Sequence, residues 1–309
     1  MSSKDTSSIC ANCGKEGSDV TNTCNKCKSV MYCNAACKKK HRHKHKKQCE
    51  RRVAELHDES LFKQPPPLED CPICFIRLPY LGTGRTYMSC CGKMICSGCI
   101  YAPVRDHEGN IIADKTCPFC RAPTPNTDEE VITRYKKRLD MNDALAFHNL
   151  GCHYRNGMLG LPQNHAKALE LWHRAGELGH AEAYHAIGIS HDNGLGVEID
   201  EKKARRYSEL SAMGGDVKAR FNLGVDEYKE GNFNRALKHW IIATKDGNSG
   251  TLKCIKMLYS NGEATKDDYT EALRSYQAYL DEIKSDQRDE AAAYDDRYKY
   301  YESAVLKNN

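Results

Sequence analysis

Fifteen of the seventeen cysteines fall before residue 121, mostly as C-x-x-C pairs, and only Cys152 and Cys254 lie beyond. That segregation marks a cysteine-built N-terminal part joined to an ordinary globular part. A secreted disulfide scaffold would carry an apolar leader, whereas this chain begins MSSKDTSSIC and has no apolar run near the ~18 residues of a spanning helix. A reducing compartment, cytoplasmic or nuclear, is therefore expected, with the cysteines acting as thiolates on metal and with no membrane partner. At 309 residues and 40% apolar content, two or three domains are expected, at least one with a true core.

The first series runs Cys10-x2-Cys13, Cys24-x2-Cys27, Cys33-x3-Cys37 and His45-x3-Cys49. Eight ligands make two tetrahedral sites. Thiolate and imidazole are the soft and borderline donors that zinc favours, and four protein ligands leave no open position, which marks a structural ion and not a hydrolytic one. With Tyr32 before Cys33 and seven residues between Cys37 and His45, the segment resembles a MYND zinc finger over residues 10–49. The resemblance implies interleaved sites: Cys10, Cys13, Cys33 and Cys37 on one zinc, Cys24, Cys27, His45 and Cys49 on the other. His45 is preferred over His41 and His43 on spacing, and those two are expected to be solvated members of a basic helix. Fingers of this family bind proline-rich peptides with a Gln and a Trp where this chain has Lys38 and Arg42, which argues against that use here.

Residues 1–52 carry thirteen Lys and Arg against four Asp and Glu, while the remainder carries 33 against 38. The run KKKHRHKHKK at 38–47 could hold phosphates. No aromatic residues are interleaved as stacking platforms, so a solvated helix face is the preferred reading and nucleic acid the minor one. The linker at 50–69 contains Pro65, Pro66, Pro67 and Leu68, read as a stiff spacer in preference to a peptide docked on the chain's own finger.

The second series is Cys71-Pro72-Ile73-Cys74, Cys90-Cys91, Cys96-x2-Cys99 and Cys117-Pro118-Phe119-Cys120, with long loops after the first and third pairs. Loops of that length let alternate pairs meet in space. Residues 70–123 resemble an all-cysteine RING finger, which implies one zinc on Cys71, Cys74, Cys96 and Cys99 and another on Cys90, Cys91, Cys117 and Cys120, making four Zn2+ per chain. Lys93 stands where RING fingers commonly carry a histidine ligand, so Cys90 is preferred to complete the set, with His107 as the alternative. The resemblance also implies contact with a ubiquitin-conjugating enzyme charged with ubiquitin through Ile73, Pro118 and Arg121. Catalysis there would be by positioning, without a nucleophile of the chain's own.

Thr127 and Glu130 have capping-box spacing and open a connecting helix within 124–142. From residue 143 the chain repeats: Leu150-Gly151, Ile187-Gly188 and Leu223-Gly224 begin equivalent segments, and Ala168, Ala204, Ala236 and Ala272 anchor second helices at intervals near 36 residues. That period means helical hairpins in a solenoid. The pattern resembles Sel-one-like repeats, relatives of the tetratricopeptide family, over 143–282, with a divergent fourth copy. Trp172 and Trp240 are expected inside, and Cys152 and Cys254 read as small apolar fillers. Residues 283–309 read as a capping helix and tail, with Tyr298, Tyr300 and Tyr301 covering the open end of the array.

The expected fold class is thus multidomain: two small zinc-stapled cross-brace modules followed by an all-α solenoid. The combination suggests a RING-type ubiquitin ligase that holds a protein client on its repeats. The alternative is a non-enzymatic adaptor. A methyltransferase domain, which can accompany MYND fingers, finds no room between residues 121 and 309.

Overall fold

The computed structural model describes residues 8–65, 67–102, 110 and 116–302. The chain forms two compact units, Met1–Lys63 and Gln64–Asn309. In the first, a two-residue hairpin pairs β1 (Asn22–Thr23) with β2 (Met31–Tyr32), and the helix α1 (Ala35–Leu61) follows. Asn34 caps α1, its side-chain oxygen accepting from the Cys37 N–H at 2.9 Å. The core of the unit is Val20, Tyr32, Cys10, Cys24, Cys27 and Cys49. One valine and one tyrosine cannot offset the entropy of ordering some fifty residues, so the sulfurs must contribute more than packing. Of the 27 residues of α1, only His45, Cys49 and Leu61 are buried. The helix continues to Leu61, so the expected linker at 50–69 begins as helix, and only the stretch after Phe62 leaves it.

The second unit opens with the hairpin β3 (Arg85–Met88) and β4 (Lys93–Cys96), then a short helix α2 (Ser97–Tyr101). Helix α3 (Asp128–Asp140) leads into four antiparallel hairpins. They pair α4 (Ala144–Asn156) with α5 (His165–Glu177), and α6 (Ala181–Asn193) with α7 (Glu201–Met213). Next come α8 (Val217–Lys229) with α9 (Phe233–Lys245), α10 (Gly250–Ser260) with α11 (Lys266–Ile283), and finally α12 (Asp286–Tyr294). Asp143, Asn164, Asp200 and Asp216 each cap the helix that follows with a side-chain oxygen. At α3 the expected capping box is offset. Thr127 accepts from the Glu130 N–H, but the Glu130 carboxylate accepts from the N–H of Asn126 instead of Thr127. The reciprocal box lies at Thr265 and Asp268.

The hairpins close on small-against-large contacts. A Cβ on Gly224 would lie 2.3 Å from Nε1 of Trp240, and one on Gly151 would lie 2.5 Å from Nε1 of Trp172. Both indoles are 1% exposed and donate to backbone carbonyls of the facing helix, Trp172 to His148 and Trp240 to Phe221. Tyr276, fully buried, takes the corresponding place in the fourth hairpin, four residues after Ala272. Ser208 takes it in the second, facing Gly188. Cys152 and Cys254 are partly buried against the two cores, as fillers would be.

The second cysteine module is part of this unit and is not a separate bead. Arg77 pairs with Asp246 at 3.2 Å and Glu282 at 2.6 Å, Arg85 with Glu182 at 3.0 Å, and the Tyr87 hydroxyl donates to Asp143 at 2.7 Å. Burial pushes the Asp246 carboxyl up to about 6 against the pull of Arg77 and Arg220. The chain's end completes the junction. Tyr300 and Tyr301 join the last hairpin's core as expected, but Tyr298 packs on Tyr101 of the cysteine module, 5.9 Å between ring centroids, and not on the array's end. Residues 303–309 lie outside the described residues. The proline segment also differs from the spacer reading. Pro65 is buried, and a Cβ on Gly215, in the turn after α7, would lie 3.5 Å from it.

Gly224→Ala should destabilise the array by about 1–3 kcal/mol through overpacking against Trp240. Gly82→Ala, which would meet nothing within 4 Å, should fall within about 0.5 kcal/mol of wild type. Urea denaturation followed by tryptophan fluorescence checks both, because both tryptophans lie in the array.

Candidate metal centres

Among the described residues, four cysteine-built groups of ligand atoms converge, each within 4.8 Å of one another: Cys10, Cys13, Cys33 and Cys37; Cys24, Cys27, His45 and Cys49; Cys71, Cys74, Cys96 and Cys99; Cys90, Cys91, Cys117 and Cys120. Local backbone geometry makes this possible. After four of the five C-x-x-C pairs the chain turns back through a left-handed residue, Gly14 (φ 72°), Lys28 (φ 56°), Phe75 (φ 57°) and Arg121 (φ 59°). The N–H of that residue donates to the first cysteine's carbonyl at 2.8–3.0 Å, so each of these four pairs of sulfurs is presented by a closed knuckle, while Cys96 and Cys99 are presented by the end of β4 and by α2. Lys28, Phe75 and Arg121 hold a conformation that costs a non-glycine residue on the order of 1 kcal/mol, and the knuckle bonds hold them in it.

The separations fit one ion per group. A zinc–sulfur bond of about 2.3 Å gives tetrahedral S···S edges of about 3.8 Å, whereas a disulfide would bring two sulfurs to about 2.05 Å. Cys13 and Cys33 lie 3.7 Å apart, Cys33 and Cys37 3.6 Å, Cys24 and Cys49 3.6 Å, Cys74 and Cys96 3.8 Å, Cys91 and Cys117 3.9 Å, and Cys90 and Cys120 3.4 Å. Nε2 of His45 is 3.2 Å from the Cys27 sulfur. The electrostatics agree with this fit. Burial opposes ionisation of Cys10, yet backbone N–H groups of Cys33, Cys13 and Asn12 bring it down to about 6. Burial and hydrogen bonds to Cys37, Cys10 and Cys13 push Cys33 up to about 12. Likewise, hydrogen bonds with Cys96 and Cys99 push Cys71 down, and bonds with Cys71 and Cys96 push Cys99 up. Four thiolates can share such a space only around a cation, which is the chemistry of a zinc site.

Cys90 stands in its cluster with its sulfur 3.4 Å from that of Cys120, while His107 lies outside the described residues. Lys93 points elsewhere, its Nζ 6.0 Å over the ring of Phe119. His43 is exposed, as expected of a basic helix. His41 is only partly solvated: it is half-buried, its Nδ1 lies 3.2 Å from the hydroxyl of buried Tyr32, and its ring stacks on that of His45. Part of the basic charge of residues 38–52 is also committed within its own unit. Lys38 donates to the Thr23 carbonyl and to Asn25, and Arg52 pairs with Glu55 and Glu59.

Sequence reasoning missed Arg288. Its guanidinium, fully buried, donates to the carbonyls of Arg77 (2.8 Å), Ile76 (3.2 Å) and Ile283 (2.6 Å) and approaches the Cys74 sulfur at 3.9 Å. An arginine of the C-terminal helix α12 thus supports the first knuckle of a cysteine module more than two hundred residues earlier in the chain. Gly98 in α2 makes the approach possible, since a Cβ there would lie 2.9 Å from the backbone nitrogen of Arg288. No local pattern in the sequence announces such a contact. Of the residues expected to face a partner, Ile73 and Pro118 are partly buried and Arg121 is exposed. Two exposed aromatics, Phe75 (76%) and Phe119 (44%), lie on the same two knuckles.

The MYND finger family matches residues 10–49, and the Sel1 repeat family matches 144–180, 181–216 and 217–248. Over 139 residues the chain is 29% identical to the ERAD-associated E3 ubiquitin-protein ligase component HRD3B of Arabidopsis thaliana, covering 44% of this chain and 21% of that protein. It is 39% identical over 56 residues to the E3 ubiquitin-protein ligase DA2 of Arabidopsis thaliana, covering 18% of this chain and 12% of that one. The E3 ubiquitin-protein ligase GW2 of Oryza sativa subsp. japonica is 37% identical over 57 residues, with the same coverage. The chain therefore spans about a fifth or less of the length of these curated relatives. Among solved structures, a Sel1 repeat protein from Oxalobacter formigenes is similar at 25% identity and a TM-score of 0.42, covering 64% of this chain and 71% of that one.

If Cys90 completes the last cluster, Cys90→Ser should lower the zinc content of the purified chain, and His107→Ala should leave it at the wild-type level. Elemental analysis of the two variants decides, and the reverse pattern would move the ligand to His107. The chain carries a MYND finger at residues 10–49 and Sel1 repeats over 144–248, and the cysteine clusters between them are consistent with a RING-like module.

Proposed function

We propose that the chain holds four structural zinc ions and acts as a RING-type ubiquitin ligase, with the RING-like module recruiting a charged conjugating enzyme and the repeats holding a protein client. The observation that carries this reading is the interleaved pairing of Cys71 and Cys74 with Cys96 and Cys99, and of Cys90 and Cys91 with Cys117 and Cys120. The pairing holds two C-P-x-C knuckles in fixed conformations, and Arg121, at the end of the second, is exposed. A cation held there can hydrogen-bond ubiquitin and keep its thioester in a reactive pose, which supplies rate by orientation and charge stabilisation. The names of the relatives, two ubiquitin ligases and a ligase component, support the same assignment.

The chain's own residues divide the work. Ile73 and Pro118 supply apolar contact to the conjugating enzyme, and Arg121 orients the ubiquitin that it carries. No side chain of the module is asked to take the ubiquitin covalently. The zinc ions supply rigidity only, since four protein donors leave no coordination position for a substrate.

In ubiquitin discharge assays with a panel of charged conjugating enzymes, Arg121→Ala should slow transfer by on the order of 100-fold, as loss of a preorganised donor does. Ile73→Ala should weaken conjugating-enzyme binding by about tenfold, the effect of losing a central apolar anchor. Transfer indifferent to both substitutions would remove the proposed surface. No transfer with any enzyme of the panel would leave the adaptor reading, in which finger and repeats only bring proteins together.

A further inference from the structure

Between the second cysteine module and the first two hairpins lies a cavity of about 670 Å3. His148 reaches it from α4, His180 from the residue before α6, and Glu182 from the first turn of α6. One ligand atom from each of these three side chains lies within 4.8 Å of the other two. The imidazole centroids are 4.7 Å apart, and Nε2 of His180 is buried with no hydrogen-bond partner among the described residues. A buried ring nitrogen without a partner calls for one, and an ion on its lone pair would supply it.

The protonation states suit an ion. Burial, with His180 alongside, pushes His148 down to about 4, and burial pushes His180 down as well. Burial thus favours the neutral imidazole in both, the form that binds metals. Burial opposes ionisation of Glu182, but the Arg85 guanidinium beside it holds its carboxyl below the ordinary value.

We propose that His148, His180 and Glu182 form a further metal site, separate from the cysteine clusters, that takes a divalent transition ion such as Zn2+ through two imidazole nitrogens and one carboxylate oxygen. Nitrogen and oxygen donors bind zinc at about 2.0–2.2 Å, which sets them roughly 3.4 Å apart, so the three side chains close on the ion by small rotations. This donor set differs in kind from the thiolate clusters and suits harder divalent ions. Three protein ligands also leave a coordination position facing the cavity, as closed four-cysteine sites do not. Arg85 and Lys218 line the same space, as do the carboxylates Glu69 and Asp216. Arg85 is also the competitor, because it already holds Glu182 at 3.0 Å. Removing that guanidinium should strengthen ion binding. The site is independent of ubiquitin transfer and stands or falls on metal binding alone.

The test uses the full chain with its cysteine clusters saturated with zinc, titrated with Co2+ and followed by calorimetry and absorption. One further equivalent should bind without the intense thiolate-to-cobalt charge-transfer band that exchange into a cysteine cluster would produce. His180→Gln and Glu182→Gln should each weaken this binding by on the order of 100-fold, and Arg85→Met should tighten it. Circular dichroism establishes that each variant is folded; should a ligand variant unfold, the wild-type titration and Arg85→Met decide. Absence of the further equivalent in the wild type overturns the site, as does a cysteine-like charge-transfer band or affinity that none of the substitutions changes.

Discussion

Coordination of metal by sulfur is the constraint on which the N-terminal third depends. The hydrophobic core of the first unit contains one valine and one tyrosine besides its cysteines, and apolar burial on that scale contributes only a few kcal/mol. A closed zinc site contributes on the order of 10 kcal/mol and does so only when its ligands are gathered. Folding and metal binding are therefore one event there. The left-handed knuckle residues fit the same logic, because Lys28, Phe75 and Arg121 hold strained backbone that pays for itself only while the sulfurs are presented to an ion.

The second cysteine module has a further source of order, the helical array to which it is joined. Arg77 reaches Asp246 and Glu282, Arg85 reaches Glu182, Tyr87 reaches Asp143, and Arg288 returns from the far end of the chain to the carbonyls of Ile76 and Arg77. The array's first and last helices thus both touch the module. A partner bound on the repeats and a partner bound on the knuckles would share one body, which is the arrangement needed if a client is to be modified by an enzyme recruited beside it.

Much of this was legible in the sequence because it depends on short spacings. Paired cysteines separated by two residues form knuckles in four of five cases, and the near-36-residue recurrence of Ala168, Ala204, Ala236 and Ala272 reports a helical hairpin each time. What escaped sequence reasoning depends on contacts across long separations. Arg288 in an acidic, polar segment gave no sign that it would be buried against Cys74, and Pro65 gave none that it would pack in the turn at Gly215. His41 was misread because its hydrogen bond to Tyr32 crosses from helix to hairpin, and helical periodicity alone says nothing of that partner. The offset cap at Asn126 shows the same limit on a smaller scale, since spacing specifies which residues can meet but not which of two adjacent N–H groups donates to the carboxylate.

Amide hydrogen exchange of the full chain, measured with and without a zinc chelator, tests the dependence on metal most directly. If coordination holds these modules together, chelation abolishes protection across 10–61 and across the described parts of 71–123, while the helices of the hairpins from Ala144 to Ile283 keep theirs. Unchanged protection in both cysteine modules after complete removal of zinc would contradict it.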